Sequence, residues 1–591
     1  MNKSEAVFKE LEAQGARHVF FVAGGNAMYL NEALRASNLT PVPMHHEQAC
    51  AMAAEAYARR TGRVGVCMAT SGPGVSNLVT GVAGAYLDSV PMVAIIGQSK
   101  EQLPDGLGRE FSRQAGLFEL NNRSLLEGVT KDFKSIQEGD SAALLTRQAV
   151  NVAVTGRPGP VVLELSLKVQ PSEETNSGFM SNQNVFRESP KTPKPSFPNK
   201  AFNRPLVLVG RGVQASGSAQ RLRDLLEKFE LPFITTHLAK DFSFYSHPLF
   251  IGHSGPRGNR SANVALSETD LLISIGSTLG SQIVGYEPSL FAPQAVKIIQ
   301  ESQCSVSSIR EFAGETSFVD YTVEEFIDWL EDQMKNAGSP RGYGEWVRRL
   351  TKLKVSLSVH LEPHIYDETG HNLYRVVRSL NDFMVKSDRE VNVVSDAGLA
   401  FYILGQALEL GPRSSYTVSG GLGAMGYALP ASIGIGYGKP QGLTVAVTGD
   451  GSSQMNVQEF ATLSQMQSPV AYVIINNGGY ASIRNTQDSF FGARVGSSGE
   501  TGVVMPDWRS VARAYGLDYC LVSSKDSLQQ SFSSAIDVVS PRVVEVECQE
   551  HQAVIPFTPN YVDEFGKIRS RPLQEMQPSP SEANDGFSTM N

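Results

Sequence analysis

The sequence predicts an α/β protein built from three doubly wound, largely parallel sheets. Short apolar runs rich in β-branched residues alternate with helical patterns along the chain, the signature of βαβ units rather than hairpins. At 591 residues the chain is long enough for about three domains. A Pro- and Ser-rich run and a charged helical stretch divide it at suitable places.

In chain order, residues 1–170 form the first unit, with strands expected at Val19–Val22, Val64–Met68, Val90–Ile96 and Val161–Leu165. Its loops carry Gly24-Gly25-Asn26, His45-His46-Glu47-Gln48 and Thr70-Ser71-Gly72-Pro73-Gly74. Glu47 stands just before the Ala-rich helical run Ala49–Ala58, where an acid commonly serves the helix dipole. Consecutive side chains in an extended segment point to opposite faces, so His45 and His46 make a poor metal pair. Residues 171–203 read as a linker.

The second unit, residues 204–340, opens with strand Pro205–Val209, then Gly210-Arg211-Gly212-Val213-Gln214-Ala215 and a helix through Glu230. This fits a dinucleotide fingerprint with an acid at ribose distance, but a tight turn in an ordinary βα unit is favoured over it. Strands Leu271–Gly276 and Val296–Ile299 continue the pattern. Residues 341–370 form a charged helical connector, residues 371–550 a third domain, and residues 551–591 a tail expected to be disordered after 565.

The third domain holds the densest chemistry. Leu443–Thr448 and Val470–Ile475 are two strands, each running into a loop: Gly449-Asp450-Gly451-Ser452 and Asn476-Asn477-Gly478-Gly479. In a parallel sheet both loops open at the carboxyl edge, where one ligand can meet both. Asp450 offers a carboxylate and Asn477 an amide oxygen, hard ligands suited to Mg2+, while Ser452 and the amides after it open a helix end that favours an anion. Either loop alone is an ordinary turn. Together, with 24 residues (452–475) between Gly451 and Asn476, they point to a site for a metal and a diphosphate.

Composition narrows the function classes. The chain is 41% hydrophobic and 19% charged with a formal net charge of −9, which argues against a nucleic-acid surface. Five cysteines, at 50, 67, 304, 520 and 548, lack metal or disulfide spacing. The N-terminus reads as an amphipathic helix rather than a signal peptide, and no apolar run reaches spanning length, so a cytoplasmic protein is expected.

The runs HHEQACAMAAEAYARRTG, TSGPGVSNLVTGVAGAYLDSVPMVAIIGQ, GRPGPVVLEL, SGGLGAMGYALPASIG, GDGSSQMNVQEF and NNGGYASIR occur in the order and spacing of the acetolactate synthase branch of thiamine diphosphate enzymes, which the chain resembles over nearly its whole length. IRNTQDSFFG and FGKIRSRPLQEM look closer to homologues from polysaccharide or nucleotide-sugar pathways. The resemblance implies a pyrimidine-binding, a central and a diphosphate-binding domain. It implies that Glu47 faces the pyrimidine N1′, that Met425 holds the cofactor bent, and that Gly423 offers its carbonyl to the 4′-amino group. Asp450, Asn477 and the Gly479 carbonyl would hold Mg2+. Gly398, Gly451, Ser452 and Tyr480 complete the cofactor-binding candidates, and Gly25, Gln98 and the segment after Asn477 would stand above the thiazolium.

The implied activity is decarboxylation of a 2-oxo acid, pyruvate first, with transfer of the two-carbon unit to a carbonyl acceptor, either a 2-oxo acid or a keto sugar. Active sites would lie between subunits of a homodimer or homotetramer. Departures from the family pattern bear on the acceptor. Phe118 replaces a family Gln that Gln114 could stand in for, and Thr486 replaces a tryptophan that narrows the acceptor pocket; Arg484 joins these as a substrate candidate. Gly276–Gln282 stands where flavin-binding members carry an Arg-Phe-Asp-Asp-Arg type run, and Ile299–Gln303 replaces an acidic strand end. These count against FAD, although Arg257 and Asn263 remain in a loop like the family's. Other readings are a non-ligating decarboxylase, a flavin- or nicotinamide-dependent oxidoreductase built on the Gly210–Gly212 turn, and a silent subunit.

Overall fold

A computed structural model describes residues 1–100, 113–175, 197–198, 201–301, 310–336, 343–366 and 370–579. Most of the expected 171–203 linker and the tail from 580 onward lie outside the described residues.

Three six-stranded parallel sheets follow one another along the chain. The first contains β1 (His18–Phe21), β2 (Thr40–Pro43), β3 (Gly65–Ala69), β4 (Met92–Gln98), β5 (Asp132–Ile136) and β6 (Pro160–Ser166), in the order β2-β1-β3-β4-β6-β5. The second contains β7 (Pro205–Val209), β8 (Phe233–Thr235), β9 (Phe250–His253), β10 (Leu271–Ile275), β11 (Val296–Glu301) and β12 (Thr316–Asp320), ordered β12-β11-β10-β7-β8-β9. The third contains β13 (Val391–Ser395), β14 (Ser414–Val418), β15 (Leu443–Gly449), β16 (Val470–Asn476), β17 (Asp518–Val522) and β18 (Arg542–Glu547), ordered β14-β13-β15-β16-β18-β17. The outer two share one topology. The middle sheet has the order of a dinucleotide-binding fold, with its switch point between β7 and β10.

The inner strands β3, β4, β10, β13 and β16 are buried almost throughout, as continuous apolar runs in a sheet covered on both faces should be. The first and third domains pack through two small-residue helices, Glu47–Thr61 and Ala428–Gly438. A side chain at Gly434 would collide with the Ala53 carbonyl, so glycine permits the close approach. Between Glu47 and Ala58 every residue except Gln48 is buried, which explains a run with few polar breaks.

Two expectations are corrected. The helix expected through Glu230 is broken into Gly212–Ala215 and Ala219–Lys228, with Gly217 at φ +78° between them. Residues 566–579 are not loose: Asn560–Val562 and Ile568–Ser570 pair as a hairpin, which we label β19 and β20, and Leu573 and Met576 are buried. This segment packs on the central domain. Arg260 donates to the Met576 carbonyl at 3.0 Å, and Thr558 N donates to the Pro256 carbonyl at 2.7 Å. Too few apolar residues mark the segment for periodicity to reveal it, since backbone groups make most of its contacts.

Candidate active site

β15 and β16 are adjacent and parallel, with Gly449 opposite Ile475, so their loops leave the same edge side by side. Asp450 is fully buried where they meet. Its Oδ2 accepts the amides of Asn477 (3.2 Å), Gly478 (2.8 Å) and Gly479 (3.0 Å), and its Oδ1 accepts the Gly451 amide (2.7 Å). Burial pushes the carboxyl above its ordinary range, and these amides pull it part of the way back. One acidic side chain thus shapes the second loop. Gly478 and Gly479 have φ +77° and +131°, the conformations that let three successive amides converge.

Asn477 is buried, and its side-chain oxygen has no hydrogen-bond partner among the described residues. A buried, unpaired amide oxygen beside a carboxylate oxygen that accepts a single amide is a donor set suited to a hard cation. A cavity of about 380 Å³ opens beside them. It is lined by Gly398, Gly423, Met425, Gly451, Ser452, Asn477, Gly479 and Tyr480, so eight of the expected cofactor residues meet there. The Tyr480 ring fills the space a side chain on Gly451 would need. The helix expected to open at Ser452 is the short turn Asp450–Ser453, followed by a kinked 3₁₀ stretch through Glu459.

Sequence reasoning misses Asp396, the residue after β13. Its Oδ1 accepts the amides of Ala397 (2.8 Å) and Gly426 (3.0 Å), and its Oδ2 accepts the Ala428 amide (3.0 Å) and the Thr448 hydroxyl (3.1 Å). It fixes the turn behind Met425. The signal available was an acid at a strand end, obscured because Asn392 interrupts the apolar run that would mark β13.

The first-domain candidates gather at a separate edge. Glu47 begins its helix and accepts the Asn77 side-chain amide at 3.0 Å. Gly25 opens a short turn whose Asn26 amide donates to the Thr70 hydroxyl at 3.2 Å. Gln98 donates to the Leu120 carbonyl at 2.9 Å, and Gln114 to the Glu119 carbonyl at 3.2 Å. Phe118 sits at φ +63°, 53% exposed, with its backbone against Gly72. No residue of the first domain lines the cavity among the described residues.

Neither Arg484 nor Thr486 lines the cavity. Arg484 is fully buried and donates to the carbonyls of Asn477 (2.8 Å), Gly478 (3.2 Å), Ser497 (3.2 Å) and Glu550 (2.9 Å). Its two terminal nitrogens hold the Asn477–Gly478 loop. Thr486 is exposed on the helix Ala481–Phe490, near the exposed Ile483 and Phe490.

At the central domain's switch point, backbone meets backbone. Gly210 N donates to the Ile275 carbonyl at 2.8 Å and Gly212 N to the Gly276 carbonyl at 2.9 Å. A side chain at Gly212 would lie 2.9 Å from Gly276 backbone. Asn263 gives its amide to the carbonyls of Gly255 (2.9 Å) and Leu573 (3.1 Å), and Arg257 stacks 3.9 Å from the Tyr402 ring centroid.

Three family models match the chain: the N-terminal TPP binding domain of thiamine pyrophosphate enzymes over residues 1–116, the central domain over 200–316 and the C-terminal TPP binding domain over 396–546. A probable acetolactate synthase large subunit of Methanococcus aeolicus is 32% identical over 584 residues, 95% of this chain and 94% of the relative. The acetolactate synthase isozyme 2 large subunit of Escherichia coli is 29% identical over 565 residues, covering 95% and 98%. The acetolactate synthase large subunit of Lactococcus lactis is 28% identical over 567 residues, covering 94% of each.

Proposed function

The chain belongs to the thiamine pyrophosphate enzyme family, and from that premise we propose that it decarboxylates a 2-oxo acid, pyruvate first, and joins the two-carbon unit to a carbonyl acceptor. The observation that carries the reading is the Asp450–Asn477 corner, a buried carboxylate beside a buried, unpaired amide oxygen at the mouth of a cavity. The relatives, named as acetolactate synthases, support the same chemistry.

The residues present fit thiamine diphosphate with Mg2+. Asp450, Asn477 and the Gly479 carbonyl would hold the cation, and Gly451 and Ser452 the diphosphate. When bound, thiamine diphosphate supplies the electron sink for the negative charge left as carbon dioxide departs. The chain's own residues do the rest. Glu47, held by Asn77, would hold a proton at the pyrimidine N1′. The Gly423 carbonyl, on a residue at φ +68°, would accept from the 4′-amino group. Met425 would press from the cavity wall, and the apolar part of the lining would favour loss of a carboxylate.

The reading needs a second copy of the chain. Glu47 and the other first-domain candidates lie outside the cavity lining, so a homodimer, alone or within a tetramer, supplies the pyrimidine half from one subunit and the diphosphate half from the other. The reading does not draw on flavin: in the central domain the Gly210 and Gly212 amides are paired with backbone carbonyls, and the Asn263 amide is given to the Gly255 and Leu573 carbonyls. No described helix is long and apolar enough to cross a membrane.

The test is turnover of pyruvate with thiamine diphosphate and Mg2+, following carbon dioxide and product mass over a panel of keto acids and nucleotide-linked keto sugars. A two-carbon gain on one acceptor is the expected result. Carbon dioxide with acetaldehyde alone would replace the ligase by a decarboxylase.

A further inference from the structure

We propose that Asp88, in the first domain, is a positioning residue for the Gly420–Met425 wall of the cavity; the proposal rests on the cofactor reading above. Asp88 caps the C-terminal end of the helix Pro73–Leu87 and is 3% exposed. An acid there opposes the helix's own field, so local structure gives no reason for it. Its partners lie in another domain. Oδ1 accepts the amide of Gly421 at 2.8 Å and Oδ2 the amide of Gly420 at 3.1 Å. Both glycines line the cavity with Leu422, Gly423 and Met425.

The carboxylate is itself locked. Arg59 donates to Asp88 and, through another nitrogen, to Glu55, and the Tyr427 hydroxyl donates to the second Glu55 oxygen. All four side chains are buried. Two successive amides on one buried carboxylate that an arginine also holds fix the segment at two adjacent points. Glycine is required opposite: a side chain at Gly421 would lie 2.6 Å from Asp88 Oδ1 and 2.8 Å from the Leu87 side chain.

The segment needs such a brace. Between Ser419 and Tyr427 it contains Gly420, Gly421, Gly423 and Gly426, the last two at positive φ, so its own sequence does little to hold one conformation. Asp396 grips its far end through Gly426 and Ala428, from within the third domain. Asp88 grips the near end from the first. The Gly423 carbonyl and the Met425 side chain lie between the two grips, so their placement depends on how the two domains dock.

The experiment uses the full-length Asp88→Asn protein, with thiamine diphosphate and Mg2+ binding measured by calorimetry and kcat and KM measured on pyruvate. Asparagine keeps the size but turns a donor toward one glycine amide. We expect cofactor affinity and kcat at saturating cofactor each to fall by roughly tenfold or more, with KM for pyruvate within about twofold. A folded variant with parental cofactor affinity and kcat overturns the proposal, as does one whose only change is a lower melting temperature. Should Asp88→Asn not fold, Gly421→Ala carries the test, because it keeps every charge and displaces the wall from Asp88. The same split is expected, and parental values again overturn the proposal. If the parent protein itself bound no thiamine diphosphate, the cofactor reading would fall and this proposal with it.

Discussion

The third and central domains each place a glycine-rich turn at the carboxyl edge of a parallel sheet, and the two turns have opposite uses. At Gly449–Ser452 the missing side chains leave room for a ligand: a cavity opens, and Asn477 keeps an unpaired oxygen beside it. At Gly210–Gly212 they leave room for more protein: the backbone of Gly276 lies where a side chain on either glycine would stand. Glycine marks close approach in both places. What approaches is settled by the polar groups nearby, because a buried acceptor without a donor implies a missing partner and a satisfied backbone pair does not.

The largest expected effect breaks the open turn. Asp450→Asn should remove one metal ligand and replace an acceptor of backbone amides with a group half of which donates. We expect no measurable turnover at micromolar cofactor and no calorimetric signal for thiamine diphosphate with Mg2+. Normal binding in this variant would move the metal site elsewhere.

Glu47→Gln comes next and separates chemistry from binding. The amide can keep its place beside Asn77 but cannot exchange a proton with N1′, so kcat should fall by roughly 10² to 10⁴ while cofactor affinity stays near the parental value. Mixing this variant with Asp450→Asn tests the shared site. A hybrid dimer carries one intact pairing, and a random mixture should recover about a quarter of parental activity. No recovery would mean that Glu47 and Asp450 serve one site within a single chain.

These two residues also show what is legible in a sequence. The strands before Asp450 and Asn477 are short runs rich in apolar and β-branched residues, so the loops at their ends stand out, and the spacing between them completes the signal. β2 carries prolines and β5 has only Phe133 and Ile136 as apolar residues, as edge strands can, so neither carries a run to notice. Asp88 and Arg484 are less legible still. Asp88 accepts backbone amides 332 and 333 residues away, and Arg484 donates to backbone carbonyls from Asn477 to Glu550; main-chain partners leave no trace in side-chain identity. The order Gly210-Arg211-Gly212 is legible and ambiguous, because the same residues serve a ligand or a neighbouring loop.

Gly210→Ala turns that ambiguity into a measurement of intermediate size. Its side chain would be driven into the Gly276 carbonyl, which, as backbone, has little freedom to yield. Chemical denaturation should show a loss of about 1–3 kcal/mol, with kcat and cofactor affinity of the folded protein unchanged. Lost nucleotide or flavin binding without lost stability would show that the turn is a binding site after all.

The smallest effect tests how dry the central edge is where it meets the third domain. His237 follows β8, and its ring lies 4.2 Å from that of Phe401, a residue of the cavity wall. Tyr416, His253 and Lys240 face it as well. Burial, with Lys240 adding to it, lowers His237 from 6.5 to about 3, and burial lowers Lys240 to about 7. Both are bases with depressed values, so the unfolded chain binds more protons than the folded one. His237 therefore makes stability rise with pH between about 3 and 6.5, and Lys240 does so between about 7 and 10.5. Buried carboxyls such as Asp396, whose values are raised, contribute in the opposite sense over the acid range. The comparison that isolates the histidine is the stability of the parent minus that of His237→Gln, measured at each pH. Between pH 6.5 and 5 this difference should shift against the parent by up to about 1.5 kcal/mol, the linkage value for a single group with such a displacement. A flat difference would mean that the imidazole reaches water, and that the central edge is as open as the crevice beside Asp450.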